Sequence, residues 1–335
     1  MDSAIAYVNA TGLYGDKVDK LEKSALASLD KYSTSNNRQV GAGYRAISNA
    51  TASTILSSPI GLIELVFMNS DGNGDIGINI ALQHPYSHGR IAINSSDPMD
   101  YPSIDPNYLS NPIDLQILRD GSKLARAIGK TGPLKDSLTG ETSPGSGKVA
   151  SDDDDDAWND WLKQTVDTEF HPSSTCAMLP IELGGVVDPN LRVYGLANVR
   201  VADASVPPIA LSTHLMASTY GVAEQASSII RDFYNNLQLS STGPNFSTNS
   251  TSSSSNSTAV PHPGGSNSTV HSSGPKSTST STSKSDSTST NSATATADHP
   301  HVGKSAATRF VVRNGVADVL LVSVFAFVFE SCLNF

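Results

Sequence analysis

The amino-acid sequence predicts an α+β fold for residues 1–239, followed by a disordered tail. Two features predict the fold: apolar runs of strand length bounded by turn residues, and longer segments whose apolar residues recur at helical spacing. A third predicts the tail, because residues 240–296 are mostly Ser and Thr and contain no Leu, Ile, Met, Trp or Tyr. Such a segment cannot bury enough apolar surface to offset the entropy lost on ordering. The remaining length supports one large domain with a sizeable core.

Three apolar segments are predicted to be strands of one sheet. Residues 62–68 and 76–82 flank a turn-rich stretch, and residues 90–94 follow them. A further short apolar segment, residues 199–201, predicts a buried strand that ends at the prolines after it.

Four segments have the spacing of helices packed on a core. They are residues 15–33, a helix opened by Ser110, Asn111 and Pro112, a helix that contains Trp158, and residues 216–237. The last helix begins just after His214. A helix N-terminus favours neutral imidazole over imidazolium, which suits a hydrogen-bonding or proton-accepting role.

Charge and cysteine content exclude several classes of function. The formal net charge of -10 argues against a phosphate-tracking surface, so no nucleic-acid partner is expected. Two cysteines, Cys176 and Cys332, are too few for a disulfide framework. The acidic run at residues 152–156 indicates a solvated loop and a negatively charged helix start, because consecutive side chains cannot all converge on one cation.

Two motifs of common active sites occur in a context that does not fit them, and a third is absent. His84 and His88 have metal-ligand spacing, but Pro85 places them in a turn and no Cys or Glu completes a zinc site. No Gly-x-Ser-x-Gly elbow is present for a hydrolase nucleophile. Residues 41–46 fit Gly-x-Gly-x-x-Ala, but the polar residues 33–39 precede them where a dinucleotide site needs an apolar strand. We interpret residues 41–46 as a loop.

Signals of the secretory route occur along the chain and concentrate in the tail. Seven Asn-x-Ser/Thr sequons occur, at Asn9, Asn49, Asn94, Asn245, Asn249, Asn256 and Asn267. Residues 240–300 indicate an O-glycosylated stalk, with a plain flexible linker as the alternative. Residues 301–335 contain small residues, a polar spacer and an apolar run of 11 residues, the order of a glycolipid (GPI) anchor signal. Two less favoured alternatives remain. One is a membrane helix, which needs about 20 apolar residues, and the other is that the segment has neither of these roles.

These signals predict a secreted or cell-surface protein that is attached to the membrane only through its C-terminal anchor. The first residues, however, show neither the basic nor the apolar region of a signal peptide. We therefore expect that an N-terminal portion of the natural protein precedes Met1.

Several separate stretches resemble one enzyme family. They are residues 89–98, 103–109, 171–178, 185–195 and 198–205, together with His214. Their pattern is similar to the C-terminal part of the fungal glucose-methanol-choline (GMC) flavin oxidoreductases, of the glucose oxidase and aryl-alcohol oxidase type. The recognisable core spans residues 89–233. The resemblance implies the family's sheet-and-helix substrate-binding domain, plus the C-terminal strand and helix that complete its FAD domain.

The resemblance implies an active site with two histidines. His171 would be the base that accepts the proton of the substrate hydroxyl. His214 takes the place of the partner, His or Asn in the family, that positions this hydroxyl, and Phe170 would line the alcohol pocket. From their spacing alone, the two histidines fit a base with its helper, a metal pair or unrelated residues. We expect no metal.

The resemblance also implies FAD as the cofactor. Asp203 and Ala204 would lie along it, and the backbone around Leu215 and Met216 would approach the isoalloxazine, where a helix N-terminus supports negative charge. The substrate would be a small-molecule alcohol or sugar that gives a hydride to the flavin, and oxygen or a quinone would take the electrons.

The sequence departs from the family in one respect. The family binds most of its FAD through an N-terminal Gly-x-Gly-x-x-Gly unit, and the 335 residues contain no credible copy. We therefore expect that the chain belongs to a family of FAD-dependent oxidoreductases that act on CH–OH groups. We expect the chain itself to be a fragment that is inactive alone. The alternative is a non-catalytic cell-surface glycoprotein that reuses this fold.

Overall fold

The computed structural model describes residues 3–69, 76–241, 308–312, 322–324 and 327–328. These residues form the mixed architecture of helices and strands that the sequence predicts. The predicted stalk at 240–300 lies outside the described residues except at its first two positions, and so does most of the predicted anchor signal at 301–335. Both remain predictions.

The described part of the chain contains ten strands. They are β1 (Ser3–Asn9), β2 (Gly61–Asn69), β3 (Ile76–Leu82), β4 (His88–Ala92), β5 (Ser103–Asp105), β6 (Leu138–Ser143), β7 (Asp167–Thr168), β8 (Thr308–Val312), β9 (Val322–Val324) and β10 (Phe327–Val328).

The same residues form seven α-helices. They are α1 (Ala10–Tyr14), α2 (Val18–Tyr32), α3 (Arg38–Ala50), α4 (Pro112–Gly129), α5 (Leu134–Ser137), α6 (Asp155–Thr165) and α7 (Leu215–Ser241). Short 3-10 helices occupy Gly15–Lys17 and Ile181–Leu183, and a π-helical turn at Thr51–Ile55 extends α3. Among the described helices, none combines the length and apolar character that crossing a membrane requires.

β1, β2 and β3 pair in antiparallel fashion and form one side of the larger sheet, with β1 at its edge. β8 and β6 continue it in the order β1-β2-β3-β8-β6, and β9 pairs in parallel with β3 and β7. The register sets Glu64, the one acidic residue of β2, opposite Tyr7 of β1 and Ala81 of β3. The Glu64 side chain is completely buried there, so this placement puts a carboxyl group inside the protein.

The third predicted strand does not join that sheet. It is β4, which pairs with β5 through Arg90 and Asp105 in a second, three-stranded sheet. The prediction of a single sheet was wrong because the chain turns away from the first sheet between β3 and β4, at a point where it is bonded to α4. The Asp114 carboxylate of α4 accepts hydrogen bonds from the backbone N–H groups of Tyr86 at 2.7 Å and Ser87 at 2.8 Å.

Residues 41–46 lie inside α3, so their interpretation as a loop was wrong. The side chain of Asn37 accepts hydrogen bonds from the backbone of Gln39 and Val40 and caps the helix. The polar residues 33–39, which do not fit the strand of a dinucleotide site, therefore include the cap at the N-terminus of α3. Gly43 serves close packing, because a Cβ there would lie 2.3 Å from the carbonyl oxygen of Leu183.

α4 packs across β2 and β3 and forms the main hydrophobic core with them. Gly121 permits this approach, since a Cβ there would lie 2.9 Å from the Ile80 side chain. Trp158 of α6 is fully buried in the same core. The acidic run before α6 is used locally: the Asp154 side chain caps the helix by accepting a hydrogen bond from the Ala157 N–H.

The chain between α6 and α7 is largely irregular but firmly held. The N–H groups of Ser174, Cys176 and Met178 donate to carbonyls of residues 204–206, which sets two passes of the chain side by side. The strand predicted at 199–201 does not form there: Val199 is exposed, and the segment contributes one isolated bridge, from Arg192 to Arg200. The second core, which includes Val206 and Ala226, packs this region on α7.

Candidate active site

His171 follows a sharp turn of the backbone. β7 ends at Thr168, and Phe170 has a φ of 61°, in the left-handed region that bulky residues seldom adopt. The Phe170 N–H donates to Oγ1 of Thr168 at 3.0 Å and holds the turn. Phe170 is 72% exposed, immediately beside His171.

His214 reaches the same place from the other end of this region. It directly precedes Leu215, the first residue of α7. The His171 and His214 rings lie 5.0 Å apart between centroids, at an interplanar angle of 64°. The fold therefore brings together the two histidines that the sequence singles out.

A buried carboxyl group lies behind His214. Nε2 of His214 is 2.9 Å from Oε1 of Glu64, whose side chain is completely buried. The other oxygen of Glu64 accepts a hydrogen bond from Nε2 of Gln83 at 3.1 Å. With a carboxylate oxygen as the acceptor, Nε2 of His214 carries the hydrogen, which fixes both the tautomer and the orientation of the ring.

The carboxyl group of Glu169 approaches the same ring nitrogen. Its Oε1 lies 3.7 Å from Nε2 of His214, which is an ion-pair distance but too long for a hydrogen bond. Its Oε2 is buried without a hydrogen-bond partner among the described residues. Burial, and then the nearby Glu64, raise the pKa of Glu169 to about 8. Glu169 is therefore mainly protonated in neutral solution.

The surroundings of His171 favour its neutral form. Burial, and then the adjacent His214, lower the pKa of His171 from its ordinary value of 6.5, while Glu64 acts in the opposite direction. The imidazole is consequently neutral at physiological pH and able to accept a proton.

An open, mainly apolar groove of about 470 Å³ runs past His171. Its lining residues are Phe170, His171, Pro172, Ala204, Leu215, Met216, Thr219, Tyr220 and Ala223. The beginning of α7 forms one wall, because five of these residues lie on one side of its first turns. Met216 and Tyr220 are 73% and 70% exposed, so this wall presents apolar surface to its surroundings.

Five of the seven predicted site residues line the groove: Phe170, His171, Ala204, Leu215 and Met216. His214 lies next to His171 without belonging to the lining. Asp203 is exposed, and its carboxylate accepts a hydrogen bond from the backbone N–H of Ser205 at 2.8 Å. The roles predicted for these residues remain predictions.

The potential metal ligands of the site are better explained by hydrogen bonding. Glu64, Glu169 and His214 place their ligand atoms within 4.8 Å of one another, a composition that suits a divalent cation. However, the hydrogen bond between Glu64 and His214 occupies two of those atoms. His84 and His88 bond to different hydroxyl groups, those of Ser212 at 2.7 Å and Ser48 at 3.3 Å. The expectation of no metal stays a prediction.

Sequence reasoning missed Glu64 and Glu169 as members of the site. An acidic residue within the apolar run of β2 is a usable signal, because a buried carboxyl group requires a partner. That partner, His214, lies 150 residues farther along the chain, so the pairing follows only from the fold.

Comparison with known proteins identifies the region that contains the two histidines. Residues 85–223 match the family profile of GMC oxidoreductase. This region is a GMC oxidoreductase C-terminal domain. It contains His171, His214 and the whole lining of the groove, whereas Glu64 lies before it.

The relatives by sequence are fungal. The chain is 44% identical over 236 residues to a GMC oxidoreductase family protein of Malassezia sympodialis, covering 69% of this chain and 36% of that protein. It is 39% identical over 166 residues to glucose oxidase 1 of Penicillium expansum, covering 49% of this chain and 27% of that enzyme. The chain thus spans about a third of the length of these relatives.

Solved structures agree with the sequence comparison. An FAD-dependent oxidoreductase from Chaetomium thermophilum matches with a TM-score of 0.61 and 26% identity, over 69% of this chain and 39% of that chain. A fungal aryl-alcohol oxidase matches with a TM-score of 0.58 and 28% identity, over 69% of this chain and 38% of that chain. The predicted fold class and the family resemblance are confirmed.

Proposed function

We propose that this chain carries the catalytic-histidine region of an FAD-dependent oxidoreductase that acts on the CH–OH group of an alcohol or sugar. The observation that carries the proposal is the neutral His171 at an apolar groove, with His214 beside it and buried Glu64 behind. Because the chain spans about a third of its relatives, the activity is proposed for the whole protein. By itself the chain is proposed to be inactive.

The groove has the surface that a flavin ring would need. Ala204, Leu215 and Met216 offer small or apolar contacts. The N-terminus of the 27-residue helix α7 lies at the same wall and favours negative charge there. When bound, FAD would supply the redox chemistry by accepting a hydride from the substrate carbon.

His171 is proposed to take the proton of the substrate hydroxyl. Loss of that proton makes removal of a hydride from the alcohol carbon easier, so a neutral imidazole within hydrogen-bond reach lowers the barrier. The exposed Phe170 ring would contact the organic part of the substrate next to this base.

His214 is proposed to position the hydroxyl group. Its bond to Glu64 restrains the ring, so little rotational freedom is lost when a substrate binds. Glu64 also favours positive charge on the histidine pair, which offsets the charge that His171 acquires with the proton.

The test uses the full-length protein that this proposal implies, in which residues equivalent to the unmatched part of the longer relatives are joined to this region. The purified protein is expected to show a flavin absorbance band that bleaches when a primary alcohol or a sugar is added without oxygen. Reoxidation by oxygen or by a quinone then identifies the electron acceptor. A correctly folded full-length protein without flavin would contradict the proposal and favour a non-catalytic surface glycoprotein.

We further infer a secreted, cell-surface location. The support is compositional: the sequons, the Ser/Thr tract and the order of small, polar and apolar residues at 301–335. In this arrangement the stalk would hold the oxidoreductase domain away from the membrane or wall to which the glycolipid attaches it.

A further inference from the structure

Glu169 is the buried acidic group of the site to which neither the proposed hydride removal nor the proposed substrate binding gives a role. It lies on the turn between β7 and His171, two residues before the base. Its side chain is 12% exposed, so it is largely withdrawn from water. A carboxyl group in that position must either find a positive partner or keep its proton.

The distances show which carboxyl group holds the imidazole. Nε2 of His214 lies at hydrogen-bond distance from Glu64, 2.9 Å, while Glu169 remains at 3.7 Å. Glu64 also receives the amide hydrogen of Gln83, whereas Oε2 of Glu169 has no partner within the described residues. The hydrogen bonds therefore stabilise negative charge on Glu64 and not on Glu169.

The other groups around Glu169 do not supply a positive charge of their own. Tyr7 of β1 lies close to both carboxyl groups, and burial followed by Glu64 and Glu169 raise its pKa above 10.0, so it stays neutral. Among the described residues, the other titratable groups that interact with Glu169 are Glu64 of β2 and His214, which lies against His171. Two adjacent carboxyl groups in such a site do not both ionise in neutral solution.

We propose that Glu169 is a positioning residue that tunes the base His171 through His214: its carboxyl group holds a proton beside the Glu64–His214 hydrogen bond and releases it to solvent in alkaline solution. This inference rests on the proposed function. Ionised Glu169 would place a second negative charge next to His214 and stabilise positive charge on the histidine pair. His171 would become a stronger base while remaining neutral, because its pKa starts below 6.5.

The first experiment is an NMR titration of this chain, without flavin or substrate. Glutamate carboxyl carbons and histidine ring nitrogens are labelled in the wild type, in Glu169→Gln and in the control Glu182→Gln, which makes the same change at an exposed position. In the wild type, one glutamate carboxyl is expected to titrate near pH 8, and the His214 and His171 resonances are expected to shift with it. Glu169→Gln should abolish both changes and Glu182→Gln should keep them.

Two results would overturn the inference: no glutamate that titrates above neutral pH in the wild type, or a histidine shift that survives Glu169→Gln. The wild-type measurement needs no variant, so a folding defect cannot mask it.

The second experiment measures flavin reduction in the full-length protein. Its rate constant should rise roughly threefold to tenfold as the pH passes through 8 in the wild type and stay flat in Glu169→Gln, since the strength of a general base carries only partly into the rate. If the rate constant has the same pH dependence in the wild type and in Glu169→Gln, Glu169 does not tune the base. If the NMR titration gives the expected result but the full-length protein oxidises no alcohol or sugar, the proposed function is contradicted and the inference about Glu169 is not.

Discussion

At the scale of single residues, the site is a row of polar contacts that leads from the protein interior to the groove. Gln83 donates to Glu64, Glu64 holds His214, and His214 lies against His171. The sequence identified His171 and His214, the two residues nearest the groove, because they lie in recognisable stretches of the chain. It could not identify Glu64 or Glu169 as their partners, because their contacts depend on how a strand and a distant turn meet.

The lowered pKa of His171 predicts a specific acid limb in the activity of the full-length protein. The base acts only when neutral, so kcat/KM is expected to fall as the pH drops through the pKa of His171, below 6.5, and to be pH-independent just above it. Steady-state rates across the pH range check this. An acid limb centred above 6.5 would mean that the burial of the ring does not control its protonation.

At the scale of elements, the regular helices were predictable and the close contacts between them were not. α2, α4, α6 and α7 follow their apolar spacing. α3 was mistaken for a loop because its glycines and polar cap resemble loop composition, although Gly43 is required by the carbonyl of Leu183. β4 was misplaced because a single buried carboxylate, Asp114, turns the chain away from the first sheet.

Two glycine substitutions should have opposite effects on stability. Gly43→Ala is expected to lower the free energy of unfolding by about 1–3 kcal/mol, since the added Cβ would overlap the Leu183 carbonyl. Gly221→Ala, in α7, meets no atom within 4 Å and should raise it by about 0.5–1 kcal/mol through helix propensity.

Urea unfolding of both variants beside the wild type measures the difference. A Gly43→Ala variant as stable as the parent would show that α3 does not pack closely on the Ile181–Leu183 turn.

At the scale of the whole molecule, composition predicts where the folded part of the chain ends, and that boundary stays a prediction because nearly all of the Ser/Thr tract lies outside the described residues. The family match confirmed the fold class of the part before it. Composition carries no information on the relative placement of β4 and β3, or of Glu64 and His214, because those depend on contacts distant in sequence. The tail is a separate matter, since its predicted roles rest on sequence signals alone.

The anchor signal predicts the end of the mature protein. We expect a C-terminal peptide that ends near residues 305–307 and carries a glycolipid, because the apolar run of 11 residues is too short to span a bilayer. Mass spectrometry of the protein released from the cell surface checks this. Recovery of an intact peptide ending at Phe335 would exclude the anchor.

If His171 is the base of a flavin-dependent oxidation, its removal must slow single-turnover flavin reduction in the full-length protein. His171→Ala is expected to lower the rate constant for flavin reduction by about 10²–10⁴-fold, the usual contribution of a general base, while flavin binding changes far less. Equal rate constants for flavin reduction in the variant and the wild type would show that His171 is not the base.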